Sequence, residues 1–107
     1  MDWNVKTFET LRGEKPVDEF LKKQSAQTQS KITHLLDLLE LHGNILGMPH
    51  SKRLDRNLFE LRIRGQQEIR ILYCFKKGEI LLLHAFKKQT QKTPRKELER
   101  ALRRMHA

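Results

Sequence analysis

The sequence predicts an α+β domain in which a small, mainly antiparallel β-sheet is flanked by an N-terminal helical hairpin and a C-terminal helix. Three short apolar runs between Leu58 and Lys92, rich in β-branched or aromatic residues and separated by glycine-containing breaks, predict three consecutive antiparallel strands. Two helical patterns precede these runs and a third follows them. With 107 residues, the chain is long enough for one hydrophobic core, so a single domain over residues 1–107 is expected.

The first part of the chain contains one strand-like and one helix-like segment. Residues 2–8 alternate apolar and polar side chains, which predicts a short strand that could join the edge of the sheet. Pro16 suits the first helical turn, and the acidic residues after it and the lysines further on match the two ends of a helix dipole. We therefore predict a short helix over residues 16–23.

A leucine-rich segment predicts the second, longer helix. Ser25 is a suitable N-terminal cap, and Gly43 ends the helix after about His42. Apolar residues recur at helical spacing and form one stripe: Ile32, Leu35, Leu36 and Leu39. We expect this stripe to cover the sheet, and the alternative is a partner helix or a coiled-coil seam.

Residues 43–57 contain few apolar side chains and are predicted to be a long connection. Connections of this length in compact domains often carry function. This one holds a set of basic residues: His50, Lys52, Arg53 and Arg56. They form either a solvated face or a rim that contacts the phosphates of RNA.

Arginines occupy the polar positions of the predicted strands. Alternation in the first strand places two sets of side chains on opposite faces: Phe59, Leu61 and Ile63, and Glu60, Arg62 and Arg64. In the second strand Arg70 points away from an apolar set: Ile69, Ile71, Tyr73 and Phe75. Because a charged side chain inside a sheet is costly unless a partner satisfies it, the arginines favour an anionic ligand on an exposed surface of the sheet. Our hypothesis is that this ligand is RNA.

The charge of the whole chain points to the same class of ligand. Twenty-two Lys and Arg against 13 Asp and Glu give a net charge of +9, which favours a polyanion such as nucleic acid. No run approaches the roughly 18 apolar residues of a membrane span, and the N-terminal residues do not resemble a signal peptide. A cytoplasmic protein is expected, and the lone Cys74, which cannot form an internal disulfide, fits a reducing compartment.

The last helix is predicted from Pro94 to about Met105. Thr93 is the expected cap residue, and proline is favoured at the first helical position. The apolar stripe of this helix consists of four residues: Leu98, Ala101, Leu102 and Met105. Basic residues, Arg95 among them, occupy much of the remaining surface.

Together these segments resemble a known protein family. The motifs that carry the resemblance are Met-Pro-His-Ser-Lys-Arg-Leu (48–54), Leu-Phe-Glu-Leu-Arg (58–62), Arg-Ile-Leu-Tyr (70–73) and Phe-Lys-Lys-Gln-Thr-Gln-Lys-Thr-Pro (86–94). In order and spacing they are similar to the HigB-type, phage-derived Gp49-like branch of the RelE toxin superfamily. The resemblance covers nearly the whole chain.

The resemblance implies a RelE-like fold and a toxin of a type II toxin-antitoxin system. Such a toxin is a ribosome-dependent endoribonuclease that cuts messenger RNA in the ribosomal A site, in contact with ribosomal RNA, by 2′-hydroxyl attack without a metal or other cofactor. It is neutralised by a cognate helix-turn-helix antitoxin, and it reaches operator DNA only through the antitoxin complex. No membrane partner is expected. Two alternatives remain: a non-catalytic nucleic-acid-binding or regulatory module with the same fold, and a ribosome-independent RNase.

Arg70 matches the arginine of the Arg-x-x-Tyr strand of that family. The resemblance therefore implies that Arg70 stabilises the charge that grows on the phosphate, a task that suits a planar and permanently charged guanidinium. The alternative is an ion pair with Glu68, Glu60 or Glu79. A structure with Arg70 under a packed helix, locked to an acid and unreachable from solvent, would overturn the proposal that RNA binds on this surface of the sheet.

The remaining candidate residues fall into a catalytic and an RNA-binding set. Arg62 is a further catalytic candidate, and Lys87, Lys88 and Lys92 could act as general base or acid, because crowding by cations lowers the pKa of a lysine; the alternative for each lysine is a solvated charge. Glu60 either acts as a base or orients an arginine. The RNA-binding candidates are Arg64, Lys52, Arg53, Arg56, Glu60 and Arg95.

His84 is a catalytic candidate whose position depends on the strand register. A two-residue loop at Lys77 and Gly78 places His84 on the face opposite Arg70, where it would be a satisfied structural histidine. A three-residue loop would place it beside Arg70. The sequence leaves both registers open.

Overall fold

The computed structural model describes residues 2–107, which form a five-stranded sheet with helices on both faces. The elements are β1 (Val5–Thr7), α1 (Pro16–Lys22), α2 (Ala26–His42), a 3₁₀ turn (Gly43–Ile45), β2 (Ser51–Asp55), β3 (Leu58–Ile63), β4 (Ile69–Lys76), β5 (Glu79–Lys87) and α3 (Arg95–Met105). The strand order is β1-β5-β4-β3-β2, with β1 parallel to β5 and every other pair antiparallel. The predicted α+β architecture is confirmed.

One face of the sheet packs against α1 and α2. The predicted alternation places its apolar side chains here, and Leu61, Ile71 and Tyr73 are at most 1% exposed. From α2, Ile32 and Leu39 are buried against them, so the leucine stripe covers the sheet as predicted. We call this surface the α1–α2 face.

The opposite face is covered in part by α3. Leu72, Cys74 and Leu83 are fully buried there, together with Ala101 of α3. Because this second cluster covers the middle of β4 and β5, the polar residues at the start of β4 and the end of β5 lie beside a packed helix. We call this surface the α3 face.

The ends of α2 follow the predicted signals. The Ser25 hydroxyl accepts a hydrogen bond from the Thr28 N–H, as expected of a cap residue. Gly43 follows the helix with φ +52°, in the left-handed region that glycine adopts without strain. A Cβ at this position would overlap the indole ring of Trp3, so two independent requirements favour glycine at the end of α2.

We predict that Gly43→Ala lowers the free energy of unfolding by about 1–3 kcal/mol, because the new methyl group adds overpacking against Trp3 to backbone strain. Urea titration monitored by tryptophan fluorescence would measure the change. Gly47→Ala is the matched control, since a Cβ at Gly47 would have open space around it. An equal loss in the two variants would contradict this account of Gly43.

Three details differ from the prediction. The segment 43–57 is not a long connection, because it contains the 3₁₀ turn and β2. β2 is an edge strand whose exposed lysine and arginine hide the usual apolar alternation. Strand β1 is limited to Val5–Thr7, and Thr93 does not cap α3, because its hydroxyl bonds Glu60 instead.

A β-bulge sets the register between β4 and β5. The turn at Lys77 and Gly78 has two residues, as in the first of the predicted registers, since Lys76 pairs with Glu79. The register then shifts, because Leu72 pairs with His84 whereas the next residue of β4 pairs with Leu82. One extra residue in β5 reverses the direction of the side chains beyond it. His84 therefore lies on the same face as Arg70, and the prediction that a two-residue loop separates them is wrong.

Candidate functional site

A buried carboxylate, Glu60, lies at the centre of the polar residues on the α3 face. Its side chain is 1% exposed. Its Oε1 accepts a hydrogen bond from Arg62 Nε at 3.2 Å, and its Oε2 accepts one from the Thr93 hydroxyl. Arg70 Nε lies 3.8 Å from Oε1. Since its oxygens are directed at these partners, Glu60 is placed to orient arginines.

Arg70 is almost completely enclosed. It is 4% exposed, and its Nη2 donates to Glu68 Oε1 at 3.0 Å while Nη1 donates to the Ile69 carbonyl at 3.1 Å. Its Nε has no hydrogen-bond partner within residues 2–107. The expectation of an arginine on an exposed sheet surface is wrong for Arg70, because alternation shows which way a side chain points and not what covers it. The structure instead shows the ion pairs with Glu68 and Glu60 that were the alternative.

Arg62 and Lys52 provide more accessible charge next to Glu60. The Arg62 side chain is 13% exposed, and its Nη1 lies 3.7 Å from Met48 Sδ. Lys52 is exposed and stands opposite Glu60 in the pairing of β2 with β3. These two cations therefore lie on the solvent side of the buried carboxylate.

Lys88 completes the group from the end of β5. Its backbone N–H donates to the Glu68 carbonyl at 2.8 Å. Burial lowers the pKa of Lys88; Glu60 opposes this effect, and the nearby cations Arg70, Arg62 and Lys52 lower the pKa further. A larger fraction of Lys88 is therefore neutral near neutral pH than for an ordinary lysine. We refer to Lys52, Glu60, Arg62, Arg70, Lys88 and Thr93 together as the Glu60 cluster.

His84 lies on the same face but makes contacts of its own. Its Nε2 is 2.8 Å from Glu97 Oε1, and its Nδ1 is 3.3 Å from Arg104 Nη1. The ring also stacks on Phe86 at 5.5 Å between centroids. Because an arginine can only donate, Nδ1 is the acceptor, and a neutral ring then donates from Nε2 to Glu97. Both nitrogens of His84 are thus engaged by α3.

We predict that His84 makes the fold less stable at low pH. Burial lowers the pKa of His84 in the folded state, whereas the unfolded chain has the ordinary value of about 6.5. As pH falls below about 6.5, the unfolded state therefore binds a proton before the folded state does. The free energy of unfolding decreases from this pH down to the lower pKa of His84 in the folded state. Urea unfolding of wild type and His84→Gln above and below this range would show a smaller pH dependence in the variant.

The exposed His34 offers a matched control for this experiment. His34→Gln should keep the full pH dependence of the wild type. If the pH dependence is the same in all three proteins, the buried imidazole is not its source.

The other candidate residues are distributed around the molecule. Lys87 pairs with Ile69 and lies on the α1–α2 face, so strand alternation separates it from Lys88 and from the Glu60 cluster. Lys87 and Lys88 therefore do not share a site, and the catalytic role of Lys87 stays a prediction. Arg53 pairs with Phe59 on that same face, and Arg56 lies in the β2–β3 turn beside the end of α3.

Three further candidates are exposed to solvent. Arg64 follows β3 near Glu68, Lys92 lies in the turn before α3, and Arg95 in the first turn of α3 pairs with Glu99 at 3.3 Å. Their proposed roles in RNA binding or catalysis stay predictions.

Thr93 is the residue of the cluster that the sequence did not reveal. Thr-Pro before a helical pattern is typical of a helix cap, and that local pattern gives no sign of a contact across 33 positions. Within residues 2–107 no group of three or more His, Cys, Asp or Glu side chains could hold a metal ion. The same part of the chain has no helix of the length and hydropathy needed to cross a membrane.

Comparison with known proteins identifies a family and a fold. A family model described as "Phage derived protein Gp49-like" matches residues 19–106. Two solved structures from Staphylococcus aureus, a YoeB-YefM complex and a YoeB dimer, are similar with TM-scores of 0.55 at 15% and 16% sequence identity. Each similarity covers 84% of this chain and 100% of the other. A comparison with curated proteins gives no match.

Proposed function

The chain belongs to the phage-derived Gp49-like family, and from that membership we propose that it is a RelE-superfamily toxin of a type II toxin-antitoxin system. Its proposed activity is ribosome-dependent cleavage of messenger RNA. One observation carries this proposal: Arg62, Lys88 and Lys52 gather around a buried carboxylate on one face of the sheet. A concentration of cations held in fixed positions suits a reaction in which negative charge develops on a phosphate.

The proposed reaction is attack by the ribose 2′-oxygen on the adjacent phosphorus. Lys88, whose pKa is lowered by burial, accepts the 2′-hydroxyl proton in its neutral form. The bond from phosphorus to the 5′-oxygen breaks, and that oxygen takes a proton from solvent. The products are a 2′,3′-cyclic phosphate and a 5′-hydroxyl. In this reaction the side chains of the protein supply the proton acceptor and stabilise the charge on the phosphate.

Arg62 and Arg70 have different parts in this proposal. Arg62 is partly exposed and is fixed through Nε by Glu60, so its outer nitrogens are available to phosphate oxygens. Arg70 is enclosed, and we assign it a positioning role, in which it holds Glu60 and Glu68 in place. This assignment replaces the direct phosphate contact that the family resemblance implied.

An antitoxin partner is part of the same proposal. YoeB of S. aureus has been solved in complex with YefM, and we propose that this chain likewise binds a cognate antitoxin. Following the resemblance to the HigB-type branch, the antitoxin is expected to carry a helix-turn-helix and to provide the contact with operator DNA.

The burial of Arg70 favours a second candidate function, a nucleic-acid-binding module without catalytic activity. A guanidinium that is 4% exposed and paired with two carboxylates cannot reach a phosphate without rearrangement. In that case the exposed cations would bind RNA while no bond is cleaved. The two functions predict different products, and experiment can separate them.

Induced expression of the wild type and of Arg62→Ala, with mapping of transcript 5′ ends, tests the proposal. We expect growth arrest and new 5′ ends inside translated codons for the wild type, both strongly reduced in Arg62→Ala. Arg12→Ala is the matched control, since Arg12 is an exposed arginine of the loop before α1 and should leave both readouts unchanged.

Other outcomes distinguish the alternatives. Growth arrest without new transcript ends would contradict the nuclease proposal and support the binding module. Cleavage of purified RNA in the absence of ribosomes would contradict ribosome dependence alone. Co-expression with the neighbouring helix-turn-helix gene, if one is present, should restore growth.

A further inference from the structure

The α1–α2 face carries a basic cavity that is separate from the Glu60 cluster. It has a volume of about 250 Å³ and lies between the start of α2, the β3–β4 loop and the end of β5. Lys87 lines it, on the side of the sheet opposite Lys88. A lysine that sequence analysis placed in the reaction site thus belongs to a different concave surface.

Three lysines from three different segments meet at this cavity. Lys23 follows α1, Lys31 lies in α2, and Lys87 ends β5. None of the residues that line the cavity is acidic. Among the residues that the structure describes, no carboxylate forms an ion pair with any of the three ammonium groups. Like charges repel when they are brought together, so a bound anion would stabilise this arrangement.

The position of Lys31 depends on a glycine in the β3–β4 loop. A Cβ built at Gly65 would lie 2.5 Å from Lys31 Nζ, so the absence of a side chain there allows the ammonium group to approach the loop backbone. Lys31 therefore reaches from α2 to the β3–β4 loop, and it lines the same cavity as Lys87.

The rest of the lining consists mostly of polar side chains with both donors and acceptors. Gln27 extends from α2, and Gln66 and Gln67 extend from the β3–β4 loop. Each amide can donate and accept hydrogen bonds, which suits the edge of an unpaired base. The cavity is also slightly smaller than the roughly 300–1,000 Å³ of sites for drug-sized ligands, a size that favours a single nucleotide unit over a longer segment.

We infer that this cavity binds one phosphorylated nucleotide unit, with its phosphate between Lys31 and Lys87 and its base against the glutamines. The unit comes either from an RNA strand or from a free nucleotide. The choice of RNA as one source rests on the proposed function. On an RNA strand the cavity would be a second contact on the side of the sheet opposite the reaction site.

The test measures binding of a short 2′-O-methylated RNA oligonucleotide, which cannot be cleaved by 2′-hydroxyl attack, as a function of salt concentration. For each lysine that contacts phosphate, we expect the slope of log K against log salt to decrease by about 0.7. The variants are Lys31→Gln, Lys87→Gln and the double variant. Lys22→Gln is the control, because Lys22 is exposed in α1 and does not line the cavity.

Nucleoside 5′-monophosphates form the second arm of the experiment. Their binding to the wild type and loss in the double variant would support the inference with a free nucleotide as the source. A smaller salt slope for the oligonucleotide in the lysine variants, without binding of monophosphates, would support an RNA strand as the source. An unchanged oligonucleotide slope together with unchanged or undetectable monophosphate binding would overturn the inference.

A failure of this inference is distinguishable from a failure of the proposed nuclease function. Arg62→Ala should strongly reduce cleavage of messenger RNA while keeping the contribution of Lys31 and Lys87 to the salt slope of oligonucleotide binding. Unfolding midpoints equal to that of the wild type would show that the exposed substitutions leave the fold intact.

Discussion

Replacing Glu60 with alanine should lower the free energy of unfolding by about 3–5 kcal/mol, the range observed when one partner of a buried ion pair is removed. Glu60 is fully buried, and Arg62 and Arg70, whose side chains are 13% and 5% exposed, both lie within 4 Å of its Oε1. Without the carboxylate, Arg62 loses its ion pair and Arg70, which pairs with Arg62 on the adjacent strand, keeps only Glu68. The Thr93 hydroxyl also loses its acceptor.

Urea titration of Glu60→Ala against the wild type would measure this loss, and Glu99→Ala is the control. Glu99 pairs with Arg95 on the surface of α3, where the two side chains are 56% and 91% exposed. Exposed ion pairs contribute about 0–1 kcal/mol, so the control should be nearly as stable as the wild type. If the two variants lose the same small amount of stability, Glu60 does not hold the arginines in the way described.

The strands that could be predicted from the sequence are those with an apolar face. β3 alternates apolar and polar side chains, and β4 and β5 are largely apolar runs. The structure confirms the α1–α2 face that the apolar positions of β3 and β4 indicated. β2 lacks the signal because it pairs through its backbone at the sheet edge and carries mostly polar side chains. Backbone pairing of an edge strand does not require an apolar sequence.

The bulge in β5 limited what alternation could predict about the site. A single unpaired residue reverses the faces of all later positions in a strand. The sequence from Ile80 to Leu83 is apolar throughout, and no glycine marks the irregularity between Leu82 and His84. The faces of His84, Lys87 and Lys88 relative to Arg70 were therefore accessible only from the structure.

Alternation also could not predict which side chains of the candidate site are buried. Alternation placed Glu60, Arg62 and Arg70 on one face, and the structure brings all three together there. Alternation could not show that Glu68 encloses Arg70 or that Thr93 contacts Glu60. These contacts depend on how the segments before β4 and before α3 fold over the end of the sheet. The charge pattern indicated the location of the cluster, and the packing decides which cations are accessible.

Lys88 is the accessible cation with the clearest chemical consequence, and Lys88→Ala should reduce the rate of RNA cleavage by about 10²–10⁴-fold, the usual contribution of a general base. The proposed base must be neutral, and burial lowers the pKa of Lys88. The cleavage rate of the wild type should therefore rise with pH up to this lowered pKa and then become constant. In Lys88→Ala this rise should be absent.

Single-turnover cleavage of messenger RNA on programmed ribosomes, measured across a pH series, would test this role of Lys88. Lys88→Arg separates proton transfer from charge, because arginine keeps the positive charge and does not lose its proton in this range. We expect Lys88→Arg to be as slow as Lys88→Ala, and Lys22→Ala, an exposed substitution in α1, to keep the rate and pH profile of the wild type. Full activity in Lys88→Arg would show that position 88 acts through its charge on the phosphate, and the base would then have to be sought elsewhere in the Glu60 cluster or in the RNA itself.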